Sequence, residues 1–276
     1  MKIIADTATL YSPAEGAQLG LTVIPVGVAI DNNAYRDYEE ITSAELLRRI
    51  AAGGVPSSSQ PSVGDVLDIF EKYEDELLFL TVGDGLSGAY QTAMGARSCA
   101  AHSERIHVVD SKTLAGPLRY LAQKALMLAE QGMDAAAAEA ALAESIESSM
   151  SFVIPADFEF LKRSGRLTPL AAKLGGTLRL LPVLTQTEDK KRIMPLGVRR
   201  TWRTAAEVII RRLTARGVDE NWRISVCHAG TPERAEEVRA QIGEQFPRVE
   251  SELLELSPAL ITHGGPGCVV VQAIRK

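Results

Sequence analysis

Two short segments rich in hydroxyl side chains stand where helices are about to begin. Three serines, Ser57–Ser59, lie in the stretch VPSSSQPSVGDV, and Ser87 lies in the turn GDGLSG that follows an apolar run. Serine hydroxyls and the unpaired N–H groups at a helix start both favour a bound anion. The two segments therefore predict a site for a carboxylate or a phosphate. Proline and serine are also common loop residues, so the first segment alone is equally typical of a plain loop.

Glycines shape the second segment. Gly83, Gly85 and Gly88 permit a sharp turn from a strand into a helix and the close approach of a ligand to the backbone. A turn of this composition without any ligand is the alternative interpretation.

The same turn nearly matches the nucleophile elbow of serine hydrolases, G-x-S-x-G, with Ala89 in place of the last glycine. Asp110 and His263 follow Ser87 in the order Ser, Asp, His, although Asp110 comes early for the acid of a triad. A serine esterase that uses Ser87 is therefore one hypothesis, and it requires that the three side chains meet in the fold.

His263 stands beside the turn GGPG. A neutral imidazole can donate a hydrogen bond to a carboxylate and an imidazolium can pair with one, whereas a histidine that merely caps a turn is the ordinary alternative. Arg166 lies in the basic stretch FLKRSGRLTP, which predicts either a solvated face or a docking surface for an acidic partner or a phosphate.

The net charge, the cysteine spacing and the apolar runs of the chain exclude several classes of protein. The 276 residues carry a net charge of −5, which argues against a general nucleic-acid-binding protein. Cys99, Cys227 and Cys268 have no spacing typical of a zinc or redox site, so no metal and no cofactor are expected. No signal-peptide pattern and no run of about 18 apolar residues occurs, so the predicted location is the cytoplasm.

Strands and helices alternate over residues 1–150, and this pattern predicts an α/β domain with a doubly wound, mostly parallel sheet. Binding sites of such sheets lie beyond the carboxyl ends of the strands, where the serine segments are expected. Over residues 151–276 hairpins mix with helices, which predicts an α+β domain. The predicted strands of the first domain span 2–5, 21–30, 76–82 and 105–110. In the second domain short helical pieces are predicted over 158–176 and two strands over 178–200.

Six segments in the same order resemble the DegV family of bacterial fatty-acid-binding proteins, the fatty acid kinase B subunits. The resemblance covers nearly the whole chain, and six ordered matches are far more specific than any one of them. The matching segments are DTAT, VPSSSQPS, LSGAYQTA, VVDSKTLAGPLRYLAQKALMLAEQG, FLKRSGRLTPLAAKLGGTLRLLPVLT and LITHGGPGCVV.

The resemblance implies a long-chain fatty acid in a buried tunnel between an α/β and an α+β domain. It implies that Ser57 or Ser58, together with Ser87 and Gly88, holds the carboxylate, with His263 close by. Arg166 would belong to the headgroup region or to the surface that docks the kinase.

The family does not catalyse by itself. It presents the acyl group to an ATP-dependent fatty acid kinase, which makes acyl phosphate for lipid synthesis, and a transient contact with the membrane surface is compatible with this role. A module that binds phosphorylated sugars, related to dihydroxyacetone kinase, is a further alternative that rests on analogy of fold.

One position departs from the family pattern. Many members have two serines before G-L-S-G, whereas this chain has Gly83 and Asp84. If Asp84 faced the headgroup it would repel a carboxylate, and otherwise it points outward or bonds the loop.

Overall fold

The computed structural model describes residues 1–173 and 180–276. In chain order the strands are β1 (Lys2–Asp6), β2 (Leu21–Ile24), β3 (Gly27–Ile30), β4 (Asn33–Arg36), β5 (Ser57–Ser59), β6 (Leu77–Thr81), β7 (Ile106–Asp110), β8 (Met150–Ile154), β9 (Leu181–Gln186), β10 (Ile193–Arg199), β11 (Trp222–His228), β12 (Glu250–Glu255) and β13 (Val269–Arg275). The α-helices are α1 (Pro13–Gln18), α2 (Ser43–Ala51), α3 (Val63–Lys72), α4 (Ala89–Cys99), α5 (Ala115–Glu130), α6 (Ala135–Ser148), α7 (Phe158–Ser164), α8 (Pro169–Ala172), α9 (Trp202–Ala215), α10 (Pro232–Gln245) and α11 (Pro258–Gly264).

The first sheet contains four parallel strands in the order β2-β1-β6-β7. Its strand β6, LLFLT, is buried on both faces because side chains of a strand alternate between the faces. Leu78 and Leu80 pack in the cluster that contains residues of α5 and α6, while Leu77 and Phe79 pack in the cluster that contains residues of α3 and α4. Helices thus cover both faces, and the predicted doubly wound parallel sheet is confirmed.

The second sheet is mixed, with the order β10-β9-β8-β13-β11-β12. Its neighbours are antiparallel except for β11 and β12, which run parallel. Helices α9 and α10 pack on one face through a core that includes Phe152, Ile224 and Val226. This arrangement agrees with the α+β architecture predicted for the second part of the chain.

A small antiparallel sheet, β4-β3-β5, completes the described fold and corrects two predictions. The single strand predicted over 21–30 is wrong, since β2 and β3 belong to different sheets and the chain turns at Pro25, which has no N–H group to donate to a ladder. The plain loop at Ser57–Ser59 is also wrong, because these serines pair with Gly27–Ala29 as β5.

The division between the two large sheets falls near residue 150, where the sequence predicts a domain boundary. The division into domains 1–150 and 151–276 stays a prediction, because α5 and α6 pack against strands of both sheets. The end of the helical stretch predicted over 158–176 and the start of the strand predicted from residue 178 lie outside the described residues.

Candidate functional site

A cavity lies between the two large sheets, beside the third. Its space is about 1130 Å³ when the open mouth is included. Most of its wall is aliphatic, and both halves of the chain contribute to it. The aliphatic lining includes Ala8, Val26, Val82, Leu86, Leu114, Val153, Leu161, Ile193, Leu256, Leu260 and Val270.

Ser58 and His263 meet at this cavity. The Ser58 hydroxyl lies 2.7 Å from Nε2 of His263, although the two residues are 205 positions apart in the chain. Strand β5 positions Ser58, and α11 positions His263 near its C-terminal end. Helix α11 is stable locally because the Ser257 hydroxyl accepts a hydrogen bond from Leu260 N–H and Pro258 fits the first turn. The sequence prediction recognised His263 but missed the helix that carries it.

Ser57 and Ser58 face opposite directions because they are neighbours on one strand. Ser57 is exposed and does not belong to the cavity wall, whereas Ser58 lines it. Ser59 and Gln60 also line the cavity, where β5 ends. Of the two serines that the sequence prediction left open, Ser58 is the one on the cavity wall, and its contact with a carboxylate stays a prediction.

Ser87 lines the cavity at the start of α4. Its hydroxyl oxygen accepts a hydrogen bond from Ala89 N–H at 3.2 Å, so its own O–H group remains available to donate to a ligand. Gly88 is the N-cap residue of α4, and a Cβ atom at this position would lie 3.0 Å from Cδ of Gln60. Gly88 thus allows the β5 segment to approach the helix start, rather than forming part of the cavity wall.

Arg166 also lines the cavity and supplies positive charge there. Its guanidinium donates to the carbonyl of Leu86 at 3.0 Å and to the carbonyl of Ser164, which fixes the side chain between the two halves of the chain. Desolvation lowers the pKa of Arg166 from its usual value. A guanidinium nevertheless stays protonated in proteins, so Arg166 can pair with an anion.

His263 carries no charge at neutral pH. Desolvation, followed by the nearby charge of Arg166, lowers the pKa of His263 to about 4. Of the two roles open to this histidine, the structure therefore favours the neutral hydrogen-bonding partner over the imidazolium. The charge that attracts an anion comes from Arg166.

Asp84 points away from the cavity wall and towards the turn between β9 and β10. Its carboxylate accepts from Nζ of Lys191 at 2.8 Å and from Nε2 of Gln91 at 3.3 Å. The hydrogen bond from Lys191 is the main cause that lowers the pKa of Asp84. Asp84 is thus an ionised partner of Lys191, and it does not belong to the cavity wall.

The three residues of the hypothetical hydrolase triad do not form a connected chain of hydrogen bonds in the described part of the protein. His263 bonds Ser58, and Asp110 accepts from the backbone N–H groups of Asp84 and Lys112. A hydrolase triad requires the histidine to contact both serine and acid, so this geometry gives the esterase hypothesis no support.

The sequence prediction missed the polar part of the wall that is formed by Ser151, Gln186 and Gln272. Single polar residues on predicted strands carry no local signal of a site, because only the sheet decides which face each side chain occupies.

The comparisons with known proteins agree with this architecture. The family model described as "Uncharacterised protein, DegV family" matches residues 1–276. A DegV domain-containing protein of Listeria innocua is 28% identical over 277 residues, which cover 97% of this chain and 95% of the relative. A DegV domain-containing protein of Deinococcus radiodurans is 29% identical over 256 residues, covering 91% of this chain and 88% of the relative.

Solved structures show the same fold. A DegV family protein from Thermus thermophilus, described by its fatty-acid binding, superposes with a TM-score of 0.90 at 28% identity, and the match covers 100% of both chains. A stearic acid-binding protein from Eubacterium ventriosum superposes with a TM-score of 0.86 at 24% identity, covering 100% of this chain and 98% of the other. At 24% identity, the similarity to the Eubacterium ventriosum protein shows a shared fold only.

Proposed function

The chain belongs to the DegV family, and from this membership and its site we propose that it binds a long-chain fatty acid in the cavity between its two large sheets. The observation that carries the proposal is the combination of a long aliphatic wall with Ser58, Ser87, His263 and Arg166 on the same cavity. An aliphatic wall suits a hydrocarbon chain, and the polar group suits a carboxylate. The fatty-acid binding described for the Thermus thermophilus relative supports the same ligand class.

The hydrocarbon chain supplies most of the proposed binding free energy. Burying about 15 methylene groups gains roughly 12 kcal/mol before the cost of ordering the ligand. Hydrogen bonds contribute less, since a typical one has a net value of about 1 kcal/mol. The chain therefore determines affinity, and the polar residues determine which end of the ligand enters first.

The proposed headgroup site combines one charge with several donors. Arg166 attracts the carboxylate, Ser87 donates from its hydroxyl, and neutral His263 holds Ser58 in place. A neutral histidine suits this arrangement, because a second cation beside Arg166 would be costly to desolvate.

The proposed role beyond binding is that of a carrier without turnover of its own. The chain would present the carboxylate to an ATP-dependent fatty acid kinase, in the cytoplasm and with transient contact at the membrane surface, so that acyl phosphate forms. Arg166 joins the headgroup to loop 83–88 through the carbonyl of Leu86, which makes it the residue best placed to affect both binding and presentation. The described residues contain no helix long and apolar enough to cross a membrane.

The test is to identify what the purified protein binds. Mass spectrometry after mild denaturation is expected to release a fatty acid, and a fluorescent fatty acid is expected to bind the delipidated protein in a saturable manner. The absence of both results would contradict the proposal. A control titration with phosphorylated sugars addresses the sugar-binding alternative, which the aliphatic wall disfavours because such ligands need many polar partners.

A further inference from the structure

Three polar side chains form a row across the cavity wall, on three adjacent strands. Ser151 of β8 pairs with Gln272 of β13 in the register of the second sheet. On the other side of β8, Phe152 pairs with Thr185, and continuation of this antiparallel register places Ser151 opposite Gln186. Gln272, Ser151 and Gln186 line the cavity, and we call them the polar row.

At one end of the polar row, both polar atoms of the Gln272 side chain have hydrogen-bond partners. Gln272 Oε1 accepts from Gly116 N–H, and Gln272 Nε2 donates to the carbonyl of Leu114 and to the hydroxyl oxygen of Ser151. These contacts fix the orientation of the Gln272 amide. They also leave the Ser151 O–H as a donor, for which no acceptor occurs among the hydrogen bonds of the described residues.

The other end of the row is fixed in the same way. Gln186 Nε2 donates to the carbonyls of Lys112 and Lys190, at 3.0 and 3.2 Å. The Gln186 Oε1 atom is buried and has no hydrogen-bond partner within the described parts of the chain. A free donor on Ser151 and a free acceptor on Gln186 thus stand on adjacent strands, whose opposed side chains are about 5 Å apart at Cβ.

A hydroxyl group is the functional group that fits between them, because it accepts one hydrogen bond and donates another. An unsubstituted methylene group would leave the buried oxygen of Gln186 without a partner, which costs binding free energy. A carboxylate does not fit, since it would place its charge against an acceptor oxygen.

The position of the row sets where the hydroxyl lies on the ligand. Val270 and Gln272 of β13 line the cavity, and so does Cys268 directly before this strand. Cys268 lies against Gly264, next to His263. Four residues of strand separate Cys268 from Gln272, a length of about 13 Å. An extended hydrocarbon with bonds of about 1.5 Å needs roughly ten bonds to cover it.

We propose that the cavity is specific for a fatty acid with a hydroxyl group near the middle of its chain, about ten carbons from the carboxylate. The hydroxyl donates to Gln186 Oε1 and accepts from the Ser151 O–H. This inference rests on the proposed function, because it takes the Ser58–His263 end as the carboxylate site.

Displacement of a fluorescent fatty acid measures the preference. We expect octadecanoic acid with a hydroxyl at about carbon 10 to bind about tenfold more tightly than octadecanoic acid, as two added hydrogen bonds imply. The isomer with its hydroxyl next to the carboxylate should gain nothing, because its oxygen lies far from the polar row.

Two variants test whether the polar row causes the preference for the hydroxylated acid. Gln186→Leu and Ser151→Ala should each reduce the tenfold preference to about twofold or less, measured as the ratio of the two affinities in the same variant. Ser58→Ala is the matched control, since it lies at the other end of the cavity and should weaken both ligands by the same factor. The two row variants test the inference independently, so a folding defect in one does not decide it.

The outcomes separate the two proposals. If both acids bind with equal affinity, an ordered water alone satisfies Gln186 and Ser151 and the inference is overturned while fatty-acid binding stands. If neither acid binds, the proposed function and the inference both fail. A preference that persists in both row variants also overturns the inference.

Discussion

At the scale of residues, one side chain of the site supplies the positive charge and others supply the hydrogen bonds that would orient a ligand. The pKa of His263 is lowered to about 4, so the imidazole is neutral and its Nε2 atom holds the Ser58 hydroxyl at 2.7 Å. Arg166 brings the positive charge and is held by two backbone carbonyls. Loss of the charge and loss of a hydroxyl should therefore have different consequences.

Replacing Arg166 should weaken the binding of fatty-acid anions more than the binding of their neutral analogues. We expect Arg166→Ala to reduce affinity for a fatty acid by about tenfold or more, because a hydrogen bond to a charged group contributes about 1.5–3 kcal/mol. Titration of the acid and of the corresponding alcohol measures this difference. An equal loss for both ligands would mean that Arg166 acts through packing only.

Removing both hydroxyls tests the orientation of the headgroup. The double variant Ser58→Ala, Ser87→Ala should bind a fatty acid about tenfold more weakly. It should stay folded with a free energy of unfolding lower by about 1–3 kcal/mol, because Ser58 bonds His263 and Ser87 accepts from Ala89 N–H. Ser57→Ala is the matched control, since Ser57 is exposed on the other face of β5 and should bind normally. A defect in this control would reassign the carboxylate contact to Ser57.

At the scale of elements, glycines determine how closely helices approach the sheets. A Cβ atom on Gly116, near the start of α5, would clash with the hydroxyl oxygen of Ser225 on β11. On Gly95, within α4, it would meet no atom within 4 Å. The same substitution is therefore expected to have opposite effects at the two sites.

Gly116→Ala should destabilise the protein by about 1–3 kcal/mol, because the added methyl group overpacks the contact between α5 and β11. Gly95→Ala should stabilise it by about 0.5–1 kcal/mol, because alanine has the higher helix propensity and the site is open. Urea unfolding of both variants measures the two changes. Equal effects of the two substitutions would contradict the packing described for α5.

At the scale of the whole molecule, two carboxyl groups are fully buried, one at the end of β1 and the other against the start of α11. Asp6 ends β1 and accepts from Ala8 N–H at 2.8 Å, and Asp37 accepts from Ala259 N–H at 3.2 Å. Burial raises the pKa of Asp6 to about 7 and that of Asp37 to about 6. Protonation of these groups therefore affects the stability of the whole fold.

The titration of these two carboxyl groups should lower the free energy of unfolding as the pH rises from about 4 to about 7. An unfolded Asp ionises near pH 4, whereas folded Asp6 retains its proton until about pH 7, so the folded state loses stability over this interval. Asp6→Asn should make the free energy of unfolding less dependent on pH there, as measured by urea unfolding at several pH values. An unchanged pH dependence in this variant would place the titration elsewhere.

The sequence by itself determined most of the elements and the chemistry available to the site. Alternation of apolar runs with capped helices predicts the parallel sheet, and serines before helix starts predict an anion site, because such patterns depend on residues that are close in the chain. The prediction failed where one proline divides an apolar run, since β2 and β3 enter different sheets.

Only the tertiary structure decided which of these residues act together. Strand pairing turns Ser58 inward and Ser57 outward, and packing brings His263 to Ser58 and Lys191 to Asp84. The register of β8, β9 and β13 aligns the polar row on the cavity wall. These relations join residues distant in the chain, and a one-residue change of register would turn each side chain to the other face, so no local pattern contains them.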